Sequence, residues 1–63
     1  MVIVHYFIKN KIGHWVEGEN RFSDAFKAVR FIKMMKRQGA RAFDWCCYDP
    51  EDDQVLMEAC ALA

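Results

Sequence analysis

The chain has 63 residues, 54% of them hydrophobic, and nine cations balance nine anions. So short a chain makes one domain, residues 1–63, and leaves little material for the shaped pocket that catalysis needs; neither an enzyme nor a cofactor is expected. Zero net charge argues against a general nucleic-acid binder, and no apolar run approaches the roughly 20 residues of a membrane span.

The neutrality hides a strong asymmetry. Residues 22–41 carry Lys27, Arg30, Lys33, Lys36, Arg37 and Arg41 against the single anion Asp24. Residues 42–63 carry Asp44, Asp49, Glu51, Asp52, Asp53 and Glu58 and no cation. A bipolar chain can pair with a second copy or present one pole to a larger partner. The apolar excess points the same way, because a lone body of this size has too little interior to hide it. A homodimer or a protein or nucleoprotein complex is therefore the expected partner.

Val2 to Ile8 is β-branched and aromatic and reads as a strand. Alternation puts Val2, Val4, Tyr6 and Ile8 on one face and Ile3, His5 and Phe7 on the other. Both faces are largely apolar. One helix covers only one of them, so the second calls for the C-terminal segment or a partner. Asn10 to Gly13 is a turn, with Gly13 free to take a positive φ. His14 to Glu19 is the second strand of the hairpin, weakened by Gly18.

Phe22 to Gly39 carries the clearest helical signal. Ser23 is the expected N-cap, Asp24 suits the positive end of the helix dipole, Lys36 and Arg37 suit the negative end, and Gly39 supplies a left-handed stop. Ala25, Ala28, Val29, Phe31, Ile32 and Met35 share one side of the wheel, the core side. Lys27, Arg30, Lys33 and Arg37 share the other, with Phe26 and Met34 among them. A solvated face explains the cations alone, and their stems can shelter a ring. An aromatic ring and a thioether stranded there gain nothing unless something covers them, so a docking surface is the sharper reading kept beside the solvated face.

Arg41 to Asp49 is a third strand, with Phe43, Trp45 and Cys47 on one face. Asp49-Pro50-Glu51-Asp52-Asp53 then allows two continuations. A capped helix over Gln54 to Ala63 would bury Val55, Leu56, Ala59, Cys60 and Ala63. A hairpin loop would return the chain as a fourth strand, Gln54 to Leu62. Propensity favours the helix. The setting, a strand running into a Pro-Glu-Asp-Asp turn, favours the hairpin, and that is the reading adopted. The fold class is α+β: a small antiparallel sheet covered on one face by one helix, ββαββ, with ββαβα as the alternative.

Chemistry-bearing patterns are sparse. His5, His14, Cys46, Cys47 and Cys60 lack zinc-ligand spacing, and adjacent Cys46 and Cys47 point to opposite strand faces, so no metal site is expected. The strand-like run from Val2 leads to the expectation of no secretory leader, and the odd cysteine count fits free thiols in a reducing cytoplasm. The acidic run Asp49, Glu51, Asp52 and Asp53 lacks the ligand alternation of a calcium loop; it is a solvated turn or a second candidate surface. Trp15 and Trp45 either fill the core or mark an interface.

Gly13, Trp15 and Gly18 in G-x-W-x-x-G, the helix end MMKRQGA and the run YDPEDD together resemble the very small accessory proteins of phages and mobile elements, anti-CRISPR inhibitors among them. The resemblance implies a non-enzymatic protein that occupies a surface of a larger host complex. The candidate surface is Phe26, Lys27, Arg30, Lys33, Met34 and Arg37. The alternatives are a nucleic-acid-binding accessory domain using the same basic face and a structural subunit that assembles with itself.

Overall fold

A computed structural model describes residues 1–62. The order is β1 (Val2–Lys9), β2 (Trp15–Phe22), α1 (Ala25–Arg37), β3 (Arg41–Cys47) and α2 (Pro50–Leu62). The fold is α+β, and of the two orders considered it takes ββαβα. The expected fourth strand over Gln54–Leu62 is a helix, so the sheet has three strands and two helices cover it rather than one.

Local chemistry explains that correction. Asp49 Oδ1 accepts a hydrogen bond from the Glu51 backbone N–H at 2.9 Å, and the Asp53 N–H bonds back to the Asp49 carbonyl at 3.2 Å. Pro50 begins the helix, where its missing N–H costs nothing. Glu51, Asp52 and Asp53 fill the first turn at the positive end of the dipole. Leu56 is fully buried. Val55, Ala59 and Cys60 are half-buried beside it, and Ala63, also expected on this face, lies outside the described residues.

The sheet order is β2-β1-β3, both pairings antiparallel. Val2 faces Phe22 and Cys47, and Val4 faces Asn20 and Trp45. Directly opposed residues share a face, so Phe22, Trp45 and Cys47 join Val2, Val4 and Tyr6 under the helices. The core is Val2, Val4, Ala25, Ala28, Ile32 and Leu56. Each fully buried Val or Leu side chain contributes about 1.5–3 kcal/mol. The C-terminal segment therefore thickens the face that α1 already covers. Ile3, His5 and Phe7 stay on a bare face.

Several boundaries differ from expectation: β1 runs to Lys9 instead of Ile8, and β2 begins at Trp15 instead of His14. Asp24, not Ser23, caps α1, its Oδ1 accepting from the Lys27 N–H at 2.9 Å. β2 continues to Phe22 instead of ending at Glu19, and β3 stops at Cys47 instead of Asp49. The stop of α1 is as read: Gly39 has φ +93°, its N–H bonds to the Lys36 carbonyl at 3.1 Å, and the Ala40 N–H bonds to the Met35 carbonyl at 3.0 Å. This is the paired arrangement by which a left-handed residue satisfies the last carbonyls of a helix.

A row of rings crosses the sheet beneath α1. Phe22 and Phe31 lie 5.1 Å apart, Phe31 and Tyr6 5.4 Å, and Tyr6 and Phe43 6.1 Å. Tyr6 reaches this row by lying over Gly18, its cross-strand partner, and its hydroxyl meets Asn20 Oδ1 at 3.2 Å. A Cβ on Gly18 would collide with the Tyr6 ring. Gly18 is therefore the seat of the ring rather than a weakness in the strand.

On the opposite edge Ala42 sits at φ +58°, where the register between β1 and β3 shifts around Tyr6. A left-handed alanine is strained. Two substitutions of opposite sign follow. Gly18→Ala displaces Tyr6 and lowers stability by about 1–3 kcal/mol, as overpacking does. Ala42→Gly relieves the bulge and raises stability by up to about 1 kcal/mol, the strain being partly offset by glycine's greater unfolded entropy. Urea midpoints of both variants against the parent check the signs.

Candidate functional site

The basic side of α1 divides in two. Phe26, Arg30 and Lys33 turn toward α2 and, with Val29, Val55, Glu58 and Ala59, line an open groove of about 530 Å³ between the helices. Its floor is aliphatic; its rim is charged. Phe26 stands at the rim 69% exposed. Among the described residues neither Arg30 nor Lys33 has a carboxylate within ion-pair distance. Lys27, Met34 and Arg37 are exposed on the same helix but do not line the groove. Lys27 instead turns its ammonium to Ser23 Oγ at 3.1 Å.

Sequence periodicity found the cations and the stranded ring. A strand over residues 54–62 does not bring Val55, Glu58 and Ala59 together, so the strand expectation hides this wall. Val29, on the core side by its period, is half-buried and belongs to both core and groove. The signal that would have found the wall is the helical phase of Val55, Glu58 and Ala59, which puts the three side by side.

The acidic candidates fare differently. Asp49 caps α2, and Asp53 Oδ1 accepts the Trp45 indole N–H at 2.8 Å. That charge-assisted bond ties the first turn of α2 to β3. Glu51 is exposed and Asp52 half-buried. Two of the four carboxylates are thus occupied by the fold itself.

The two tryptophans have separate fates. Trp45 lies under the helices, packed against the core. Trp15 is on the bare sheet face, 45% exposed, with Lys9 Nζ 5.6 Å and Arg41 Cζ 5.7 Å from its ring. Phe7 and Ala42 complete that corner. In the middle of the same face His5 meets Glu19 at 3.5 Å and Glu17 at 3.8 Å, and Asp44 stands opposite it. This ring of carboxylates opposes any extended polyanion on the sheet.

Among the described residues no cluster of three His, Cys, Asp or Glu is arranged to hold a metal ion, and no helix is long and apolar enough to cross a membrane. The three cysteines are free thiols. Partial burial, and then the nearby Asp53 and Asp52 carboxylates, push the Cys47 thiol above its ordinary value. Such a thiol stays protonated and is a poor nucleophile. No family model, no curated protein and no solved structure matches the chain.

The difference between the thiols is measurable. Near pH 8, alkylation followed by peptide mass spectrometry should label exposed Cys46 well ahead of Cys47. Labelling of Cys47 should gain on Cys46 as the pH is raised, because more of the hindered thiol ionises.

Proposed function

We propose that the chain is a small non-enzymatic interaction module, an inhibitor or adaptor, that docks on a larger protein or nucleoprotein complex through the groove between α1 and α2. The observation that carries this reading is Phe26, two-thirds exposed at the mouth of an aliphatic groove that Arg30 and Lys33 also line, neither with a carboxylate within ion-pair distance among the described residues. A solvated helix face has no use for such a ring, whereas a protein interface places aromatic anchors and arginine at its centre. The surface that fits carries an apolar ridge for Val29, Val55 and Ala59 and carboxylates for Arg30 and Lys33. Such a partner explains the ring and the cations together.

Nucleic acid is the second reading for the same cations. Against it, Glu58 stands on the groove wall and the anionic first turn of α2 belongs to the same helix. A phosphate backbone would meet these as repulsion.

Affinity capture from lysate with and without nuclease, with three baits in parallel, tests the reading. The parent chain should retain one specific complex. Arg30→Glu with Lys33→Glu should lose it, and Phe26→Ala should weaken it by about tenfold or more, the scale of an aromatic anchor. Circular dichroism should show all three folded alike, since these side chains lie outside the buried core. Capture unchanged by both variants would sink the groove as the docking surface. A catch that disappears with nuclease and falls steeply with salt would transfer the function to nucleic acid.

A further inference from the structure

We infer that two copies of this chain pair along β2, edge to edge and antiparallel, about a two-fold axis at Glu19, to make one continuous six-stranded sheet. The inference stands apart from the groove and uses none of its residues.

The two edges of the sheet are treated differently. A free strand edge presents unpaired N–H and C=O groups, and proteins commonly blunt it with bulges, prolines or side chains. β3 is blunted. The left-handed Ala42 and the register shift twist it, and the Trp45 N–H is taken by its neighbour's Asp44 Oδ1 at 2.9 Å. β2 is not. It is eight residues long, regular in register with β1, and free of proline. Outside the β1–β2 ladder, no hydrogen bond among the described residues involves the backbone N–H of Glu17, Glu19 or Arg21.

The ladder says which groups face outward. The Asn10 N–H donates to the His14 carbonyl at 2.8 Å, one step beyond the Lys9–Trp15 pair. Hydrogen-bonded and non-bonded pairs alternate along antiparallel strands. Val16, Gly18, Asn20 and Phe22 therefore bond to β1, and Trp15, Glu17, Glu19 and Arg21 turn their backbone groups to the free edge.

The side chains select a register. With the axis at Glu19, Glu17 of each copy stands opposite Arg21 of the other, so two unlike-charge pairs form on the bare face. Among the described residues Arg21 has no ion-pair partner within its own chain. On the helix face Val16, 42% exposed, stands opposite Phe22 of the second copy, twice. Glu19 meets its own equivalent at the axis, but each Glu19 already turns toward its own His5 at 3.5 Å. Moving the axis to Gly18 would set Glu17 against Glu19 and leave the apolar pair unmatched. The chain also has surface to cover: it exposes 4722 Å², against about 4200 Å² for a compact body of 7.4 kDa by size scaling. A two-fold axis normal to the sheet keeps both pairs of helices on one side, so the dimer carries two interhelical grooves facing the same way.

Sedimentation equilibrium from micromolar to about 0.2 mM should give twice 7.4 kDa at the upper end for the parent chain. Arg21→Glu places like charges opposite each other at both pairs and should weaken self-association by about tenfold or more, as should Glu17→Arg. Mixed in equal amounts, these two variants should form a heterodimer. Glu17→Arg with Arg21→Glu in one chain should restore the homodimer. Amide exchange should show concentration-dependent protection at Glu17, Glu19 and Arg21. A parent chain that stays monomeric throughout overturns the inference. So does a dimer that both single reversals leave intact, or one that forms without protecting those three amides.

Discussion

Burial of Val2 and Val4 beneath two helices at once is the constraint on which the rest of the structure depends. A three-stranded sheet needs its hydrophobic face packed to be stable in water. Leu56 from α2 and Ala25, Ala28 and Ile32 from α1 close over the same pair of valines. The small alanines of α1 let the helix sit low on the sheet, and Leu56 fills the space left beside it. The concentration of cover on one side leaves the other face without a helix, with Phe7 and Trp15 exposed and Ile3 half-buried. The thick face and the bare face are thus two consequences of one packing choice.

The rings set the second dimension of the core. Tyr6 lies on the central strand and touches both Phe31 above and Phe43 beside it, while Phe22 extends the row to β2. A ring this large fits over the sheet because Gly18, its cross-strand partner, has no side chain. Glycine usually weakens a strand. Here the loss of local propensity is recovered by tertiary packing, a trade that strand propensity considered one segment at a time does not see.

That difference between local and tertiary causes explains what was legible in the sequence. The helix α1, its glycine stop and its core side were readable because caps and apolar period agreed over thirteen residues. The face alternation of β1 was readable for the same reason. The N-cap moved by one residue because Ser23 and Asp24 are both good caps, and only the turn geometry chooses between them. The larger miss, α2, came from weighing chain setting above local chemistry. Asp49, Pro50 and three first-turn acids formed a complete helix start, and a returning strand would have had to pair with an edge that Ala42 bends and Asp44 closes. Neither edge feature is visible before β1 and β3 are placed in register. The groove was half legible: Phe26, Arg30 and Lys33 from their period, and the α2 wall only once α2 is a helix.

The charge asymmetry is resolved by asking which charges the fold itself uses. Asp49 caps a helix, Asp53 holds the Trp45 indole, Asp44 takes an edge N–H, and Glu51 and Asp52 sit at the positive end of the α2 dipole. Almost every acid of the C-terminal third has an internal task. The cations of α1 have fewer. Lys27 reaches Ser23, Lys36 lies 5.9 Å from the Phe43 ring, and Lys36 and Arg37 suit the helix end. Among the described residues Arg30 and Lys33 have no such employment, and they are the two that line the groove with Phe26. A chain of 63 residues has few side chains to spare, so charges without an internal role beside an uncovered ring are where an external partner is best sought.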